Sequence, residues 1–321
     1  DLSGKDLTGT ILTGTDLTGK DLAGTILKGA DLSYSNLSGA DLSHTDLAET
    51  ILLDADFTNA IVPDVHLSGK NFNNAIFDGV DLSGKDLSSS KFQKEASFDN
   101  ANLENVNLSM AELIEVDFTK IKNKSLVGAD LSGASLRYSN LSGVDLSGVI
   151  LDATNFWKAD LSGQDFTVTD NITDGLTFID ANLSNSNFEG LDLSPKTVFF
   201  DIFQNKASFV NLSDTDWCMG TFNHGTSCSD LITNLFGKQN TLLIVSKEIR
   251  GNDLAVDYIF FNSFANANLE NANFKNADLR LADFYSANLT NADLSGADMR
   301  GAFLAGADLE GAILDNAILS N

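Results

Sequence analysis

The chain has 321 residues, of which 45 are Asp or Glu and 20 are Lys or Arg, so its formal net charge is −25. This charge argues against direct binding to nucleic acid, whose phosphates require Lys and Arg. No apolar run reaches the roughly 18 residues that a membrane-spanning helix needs. The hydrophobic fraction of 43% is sufficient for a buried core, so the composition also argues against a wholly disordered chain.

Leucine or phenylalanine recurs every five residues, and we call this position the centre of each five-residue unit. The run begins at Leu2, slips at Val62, resumes at Leu67 and is regular from Phe264 to Leu319. A five-residue spacing gives no apolar stripe on an α-helix, which turns by about 100° per residue. It also places successive leucines on opposite faces of a plain strand, where side chains alternate. The spacing therefore predicts a turn in every unit and a chain that winds into a coil.

Each unit carries a small residue two places before the centre and usually Asp or Asn one place before it. The pattern is clearest in ANLENANFKNADLRLADFYSANLTNADLSGADMRGAFLAGADLEGAILDNAIL. It resembles the pentapeptide-repeat family, whose unit reads A-(D/N)-L-x-x. The resemblance implies an all-β fold, a right-handed quadrilateral β-helix solenoid with about 20 residues per coil and about 14 coils here. The family serves many roles, so the resemblance is specific for the fold and not for the function.

Breaks in the repeat suggest how the chain is divided. We predict a pentapeptide-repeat coil over 1–222, an irregular insertion loop over 223–253 and C-terminal coils over 254–321, since Leu254 and Ile259 return to the five-residue spacing. The segment from Asp170 to Gly175 is either a plain turn or a calcium loop, for which it lacks the regular alternate acids and the distal Glu. Shorter bulges or loops are predicted near 93–98, 119–125, 170–177 and 199–209.

Six long polar residues occupy the small inward position of their units. An unpaired buried ammonium is unfavourable, so we expect the lysine stems to lie along the wall and their charges to reach solvent at a turn. Buried Lys–Asp pairing, or a covalent Lys–Asp/Asn crosslink, is the alternative. The six residues are Lys5, Lys20, Lys70, Lys85, Lys124 and Gln164.

The irregular insertion is the candidate partner-binding loop, because recognition residues are commonly placed on loops that a rigid scaffold holds. A loop that merely packs on the coil wall is the alternative. Positive and negative side chains are nearly balanced in the insertion. Those that we predict to contact a partner are Lys238, Lys247, Glu248, Arg250 and Asp253.

The chain has two cysteines, Cys218 and Cys228, which enclose His224. They are compatible with a disulfide, with two independent thiols, or with a Cys-His-Cys metal site, for which no fourth ligand is evident nearby. A disulfide would favour a secreted or surface-associated protein over a cytoplasmic one. No hydrolase, nucleotide-binding or zinc-protease motif is present. We therefore predict a protein that is not an enzyme and has neither a cofactor nor a metal.

Two functions fit an acidic solenoid of this kind. The first is a non-catalytic scaffold or surface protein that binds a protein partner of unknown identity. The second is DNA mimicry, by which some pentapeptide-repeat proteins inhibit or protect type II topoisomerases such as DNA gyrase. A rod of about 65–70 Å with this net charge comes within about a factor of two of the charge density of duplex DNA. Ice or mineral binding by Ser/Thr ladders is a third alternative.

The two ends of the sequence also carry predictions. The chain begins at Asp1 in mid-repeat and without Met, which indicates a processed or trimmed terminus. The repeat continues to the last residues without a polar cap, and an open solenoid end exposes core side chains and strand edges. We therefore predict a homodimer that forms through the C-terminal coil, with Ile313, Leu314, Ile318 and Leu319 at the interface.

Overall fold

The computed structural model describes most of the chain. Its described residues are 1–93, 95–169, 176–193, 263–280 and 282–319, together with the backbone of strands at 199–201, 206–208, 244–250 and 253–259. Among these residues no helix is long and apolar enough to cross a bilayer.

The residue before each centre forms a parallel β-bridge with the next coil. In the first part of the chain the partner lies 20 residues away, so that Asp6 pairs with Ile26 and Ile26 with Asp46. Four columns of such bridges run along the coil, and we name them the Asp6, Ile11, Asp16 and Asp21 columns after an early member of each. One coil therefore contains four units, and the described fold is a β solenoid.

A tight turn follows each centre and explains the polar part of the repeat. The carbonyl of Leu32 accepts the N–H of Ser35 at 3.1 Å, and the third residue of this turn, Tyr34, has a φ of 59°. Positive φ is easiest for Gly and Asn, which recur at this position. The carboxylate of Asp31 accepts the N–H of Ser33 at 2.9 Å. Asp and Asn are therefore preferred before the centre because their side chains cap the turn.

The centres and the small residues before them fill the interior of the coil. Leu22 and Phe57 are at most 1% exposed, and the buried side chains form one continuous cluster. Phenylalanines stack from coil to coil, with Phe57 and Phe77 ring centroids 4.9 Å apart. A second series includes Phe178 on Phe264 at 5.2 Å. Aromatic stacking adds to area burial along the whole axis of the core.

Polar residues in the inward position are satisfied by the preceding coil. The Thr45 hydroxyl donates to the Leu22 carbonyl at 2.9 Å, and the Gln164 amide donates to the Leu141 carbonyl at 2.5 Å. The lysines in this position keep access to water: Lys5, Lys20 and Lys124 are exposed, while Lys70 and Lys85 are half-buried. Lys85 also forms an ion pair with Asp64.

Extra residues are absorbed without loss of the columns. Strand β1 (Lys91–Gln93) runs parallel to β2 (Glu112–Ile114). Bridge partners beside β1 lie 21 residues apart, as in Ile76 with Ser97, and those farther on lie 23 apart, as in Asn107 with Asp130. The 3-10 helices in this part of the coil are Phe118–Lys120 and Lys122–Lys124, and a third covers Phe166–Val168.

The columns also continue across a much longer addition. Thr177 pairs with Ser263 and Asp192 with Asp278, each pair 86 residues apart in place of the usual 20. Within the added stretch, two pairs of strands are antiparallel. These are β3 (Phe199–Asp201) with β4 (Lys206–Ser208), and β5 (Ile244–Arg250) with β6 (Asp253–Ile259).

The hairpins differ from the domain boundaries that the repeat predicted. The stretch near 199–209 contains the antiparallel pair β3 and β4, and Leu254 and Ile259 belong to β6, so their spacing is not that of coil centres. The predicted count of about 14 coils included these units. The Ile11 column passes through twelve described residues: Ile11, Asp31, Ile51, Asn71, Lys91, Glu112, Ser135, Asn155, Thr177, Ser263, Asp283 and Phe303.

Candidate interaction surface

The aspartates that precede the centres are unevenly divided among the four columns. Among the described residues, the Ile11 column holds only two aspartates, together with Glu112 and Lys91. The Asp6 column holds seven: Asp6, Asp46, Asp86, Asp130, Asp192, Asp278 and Asp298. The Asp21 column holds six: Asp21, Asp41, Asp81, Asp145, Asp165 and Asp293. The side of the coil around the Ile11 column is therefore the least acidic.

This same side carries the described tyrosines and the described tryptophan. They all lie in the turns that follow the Ile11 column, which we call the aromatic side, and they are Tyr34, Tyr138, Trp157 and Tyr285. Tyr34 is 61% exposed and Tyr285 is 49% exposed. Phe303, in the column itself, lies with its ring centroid 6.0 Å from that of Tyr285. An aromatic, weakly charged surface thus runs along an otherwise acidic solenoid.

Arg137, Tyr138, Trp157 and Lys158 meet at the middle of the aromatic side, and we call them the Trp157 cluster. The Tyr138 N–H donates to the Trp157 carbonyl at 2.9 Å, which places their turns in successive coils. The guanidinium carbon of Arg137 lies 4.4 Å from the Trp157 ring centroid, and the Lys158 ammonium lies 5.0 Å from it. The Tyr138 ring centroid is 5.1 Å from that of Trp157. The indole N–H donates to the Asp180 carboxylate at 3.0 Å, which fixes the ring.

The two cations of the cluster lack the carboxylate partners that other basic residues have. Within the described chain, neither Arg137 nor Lys158 forms an ion pair within 4.0 Å, whereas Lys91 pairs with Glu112 at 3.0 Å. Nε of Arg137 is buried and has no hydrogen-bond partner among the described residues. Cation–π contact stabilises such charges by about 0.5–1 kcal/mol each at exposed sites. The cluster therefore presents positive charge that no described carboxylate neutralises.

Sequence analysis did not single out this cluster, although a signal was present. Arg137 and Trp157 are 20 residues apart, and each immediately follows a centre, Leu136 or Phe156. The repeat usually has Ser, Thr or another small residue there. Two large residues at the same unit position, one coil apart, must be neighbours in a solenoid of this period.

The predicted partner-binding residues lie elsewhere. Lys247, Glu248 and Arg250 belong to β5 and Asp253 begins β6, where Arg250 and Asp253 are paired at the turn of the hairpin. Lys238 lies outside the described residues.

The same is true of Cys218 and Cys228. At the predicted dimer end, Ile313, Ile318 and Leu319 are 46%, 45% and 50% exposed. Leu314 packs against the core.

The described acids have properties opposite to those of a general acid. Hydrogen bonds from the Ser83 hydroxyl and N–H lower the pKa of Asp81, and Thr8 lowers the pKa of Asp6 in the same way. A catalytic acid needs a raised pKa to hold its proton near neutral pH. Within the described residues, no three His, Cys, Asp or Glu side chains are grouped so that they could hold a metal ion.

The bridges, turns and buried centres define a β-solenoid repeat protein. The family model for pentapeptide repeats matches eight copies, at residues 1–29, 25–62, 64–93, 94–120, 129–167, 263–301 and 292–321. These matches span more than half of the chain, and the protein belongs to the pentapeptide-repeat family. No curated protein matches the chain by sequence.

Several solved structures are similar to the chain. A trypsin-treated form of QnrB1, a plasmid-mediated fluoroquinolone resistance protein, is 20% identical over 57% of this chain and 81% of its own, with a TM-score of 0.38. HetL, involved in heterocyst differentiation regulation in Nostoc sp. strain PCC 7120, is 22% identical over 99% of this chain and 88% of its own, with a TM-score of 0.20. A protein from the Arabidopsis thaliana thylakoid lumen is 29% identical over 36% and 66%, with a TM-score of 0.21. Similarities of this size carry no argument about function.

Proposed function

We propose that this protein is a non-catalytic scaffold that binds a protein partner through its aromatic side. The observation that supports the proposal is the concentration of Tyr34, Tyr138, Trp157 and Tyr285 on the least acidic side of the coil. Trp, Tyr and Arg are the residues most enriched at the energetic centres of protein interfaces. The proposal includes the right-handed, four-sided winding of the family, because a rigid rod of this shape holds the aromatic residues in one line.

Site-specific photocrosslinking tests this proposal. The photoreactive residue p-benzoylphenylalanine replaces Tyr138 in one variant and Ser132, in a turn of the Asp6 column, in the control. We expect a discrete crosslinked protein from native extract with the label at 138 and none with the label at 132. A second variant with Trp157→Ala should lose the crosslink at 138. Equal crosslinking from both positions, or crosslinking at 132 alone, would overturn the proposal.

The acidic columns support a second candidate, a DNA mimic that binds and inhibits or protects a type II topoisomerase. The Asp6 and Asp21 columns are neighbours along the coil, and the described part of each presents a carboxylate at most of its rungs. Rungs lie about 4.8 Å apart, so the two columns form closely spaced rows of negative charge. Such rows resemble the phosphate rows that a DNA-binding enzyme recognises.

Supercoiling by DNA gyrase distinguishes the two candidates. One variant replaces Asp86, Asp130, Asp145 and Asp165 with Asn, which the repeat tolerates at this position, as at Asn107. The other carries Tyr138→Ala and Trp157→Ala. A DNA mimic should alter gyrase activity and lose that effect only in the first variant. No effect of the wild-type protein at micromolar concentration excludes this candidate.

We also propose a homodimer through the C-terminal coil. Ile313 and Ile318 occupy bridge positions that hold Asp293 and Asp298 in the preceding coil, and both isoleucines are about half exposed. Burial of such apolar side chains between two copies is favourable. Light scattering at tens of micromolar should give the mass of two chains, and Ile313→Asp with Ile318→Asp should give one. A monomeric wild-type protein would refute the dimer.

A further inference from the structure

We infer that the Trp157 cluster recognises an acidic, aromatic-containing segment of its protein partner, an inference that rests on the proposed function. The cluster brings two positive groups to one indole, with Arg137 at 4.4 Å and Lys158 at 5.0 Å from its centroid. Like charges held this close repel each other. A carboxylate placed between them would relieve that repulsion.

The surrounding acids do not already fill this role. Asp180 accepts the Trp157 indole N–H at 3.0 Å. Glu115, in the preceding coil, donates its backbone N–H to the Arg137 carbonyl at 2.9 Å, but its side chain forms no ion pair with Arg137 within 4.0 Å. In a chain with a net charge of −25, two neighbouring cations without a described carboxylate are an exception.

The side chains around the two cations determine what accompanies the carboxylate. Tyr138 is 42% exposed beside Trp157 and offers an aromatic edge to a partner's ring. An arginine guanidinium binds carboxylates through two parallel hydrogen bonds. A glutamate or aspartate flanked by an aromatic residue would therefore satisfy both the charge and the apolar surface of the cluster.

The acidic columns give this recognition its specificity. An acidic segment is repelled by the Asp6 and Asp21 columns and is attracted only where cations interrupt the negative surface. Repulsion from wrong sites is a general means of directing a partner to one site. A basic segment would instead prefer the acidic columns and would bypass the cluster, which is the alternative that the experiment must separate.

The test measures fluorescence anisotropy of labelled random copolymers titrated with the full chain. The probe is poly(Glu,Tyr), and the comparison polymers are poly(Glu) and poly(Lys,Tyr). We expect poly(Glu,Tyr) to bind more tightly than poly(Glu), with an affinity that falls as salt is added. Arg137→Gln with Lys158→Gln should weaken its binding at least about tenfold, as for a charge-assisted contact that loses both cations.

The matched control is Lys28→Gln with Lys275→Gln, which removes two exposed cations from turns outside the aromatic side. It changes the net charge equally and should leave poly(Glu,Tyr) binding within about twofold, because long-range attraction alone is screened beyond ~10 Å at 0.1 M salt. Equal loss in both double variants, or binding of poly(Lys,Tyr) alone, overturns the inference. If the crosslink at 138 persists in the Arg137→Gln, Lys158→Gln variant, the proposed function stands and only the acidic partner chemistry fails. Thermal unfolding of each variant checks that the coil is intact.

Discussion

The ring of Phe178 stacks on the ring of Phe264, with centroids 5.2 Å apart and planes within 12°. The residues before them, Thr177 and Ser263, are bridge partners although 86 residues separate them. Stacked rings and paired strands are the same contacts that join consecutive coils elsewhere. The core is therefore continuous where the chain carries its longest addition, and the coil does not need the added residues to close.

We predict that the added residues can be removed. Deletion of 196–261, with Pro195→Gly and Asn262→Ala, places Phe264 five residues after Leu193 and restores one regular unit at the junction. The shortened protein should keep its cooperative unfolding, with a melting temperature within about 4 °C of the full chain, the shift that ~1 kcal/mol produces at this size. Circular dichroism and calorimetry measure this.

The control for the deletion removes one residue fewer, 197–261, with the same two substitutions. It places the centres six residues apart and adds a residue to the new turn. A shortened chain that unfolds with lost cooperativity in both designs would contradict the prediction, since it would show that the coil depends on the insertion.

Gly79 is predicted to tolerate alanine less well than Gly84. Both glycines have positive φ, 70° and 66°, so alanine should cost about 1–2 kcal/mol at either position. A Cβ at Gly79 would also overlap the Asn59 side-chain oxygen in the preceding coil, whereas no atom lies within 4 Å at Gly84. Displacing Asn59 from its rotamer adds about 0.5–1.5 kcal/mol. Urea unfolding of Gly79→Ala and Gly84→Ala measures the difference, and equal losses would show that the asparagine moves freely.

Replacement of Lys70 by methionine is predicted to stabilise the coil. Burial lowers the pKa of this inward lysine, and the nearby Asp46 only partly opposes the effect. Methionine keeps the length of the stem without a half-buried charge, and such replacements often stabilise a protein by ~1 kcal/mol or more. Lys124→Met is the control, because Lys124 is exposed. The midpoint of urea unfolding should rise for Lys70→Met alone, and a fall would show that Lys70 forms a favourable ion pair.

The five-residue spacing was sufficient to predict the β solenoid and its inward leucines, because every unit repeats the same local chemistry. Asp31, Leu32 and Tyr34 show this within one unit, since cap, centre and turn are all set by neighbours in sequence. The end of the coil before the insertion was not predictable in the same way. Leu254 and Ile259 match the spacing, but their backbone pairs with β5, and such long-range pairing leaves no mark in a five-residue window.

The candidate site lay between these two cases. The Trp157 cluster depends on residues 20 apart, so it follows from the sequence once the coil period is applied to side chains other than the centres. The distribution of charge required more, because one-residue, two-residue and longer additions shift later units between columns. Only the bridges show that Asp192 and Asp278 belong to the same column.

Acid is predicted to weaken the coil once electrostatic repulsion is screened. The Ser83 hydroxyl, and then the Ser83 N–H, lower the pKa of Asp81 below its ordinary value of 3.8, with a further contribution from the Asn102 amide. The same arrangement lowers the pKa of Asp6, Asp16, Asp31, Asp41, Asp145 and Asp293. A carboxyl with a lowered folded-state pKa binds fewer protons folded than unfolded, so its stabilising effect is complete above 3.8 and is lost as the pH falls through the folded pKa.

Protonation also removes repulsion among the acids of a chain with a net charge of −25, which acts in the opposite direction. Sodium chloride at about 1 M, where the Debye length is ~3 Å, suppresses that repulsion and leaves the local hydrogen bonds. Under these conditions the midpoint of urea unfolding should fall steadily as the pH drops below 3.8. A variant with Asp→Asn at Asp81 and Asp145 should show a shallower fall, because an Asn oxygen caps the turn at any pH, as Asn36 does for the Ser38 N–H at 2.9 Å. A midpoint that stays level or rises in this range would mean that the carboxylate caps contribute nothing to the stability of the coil.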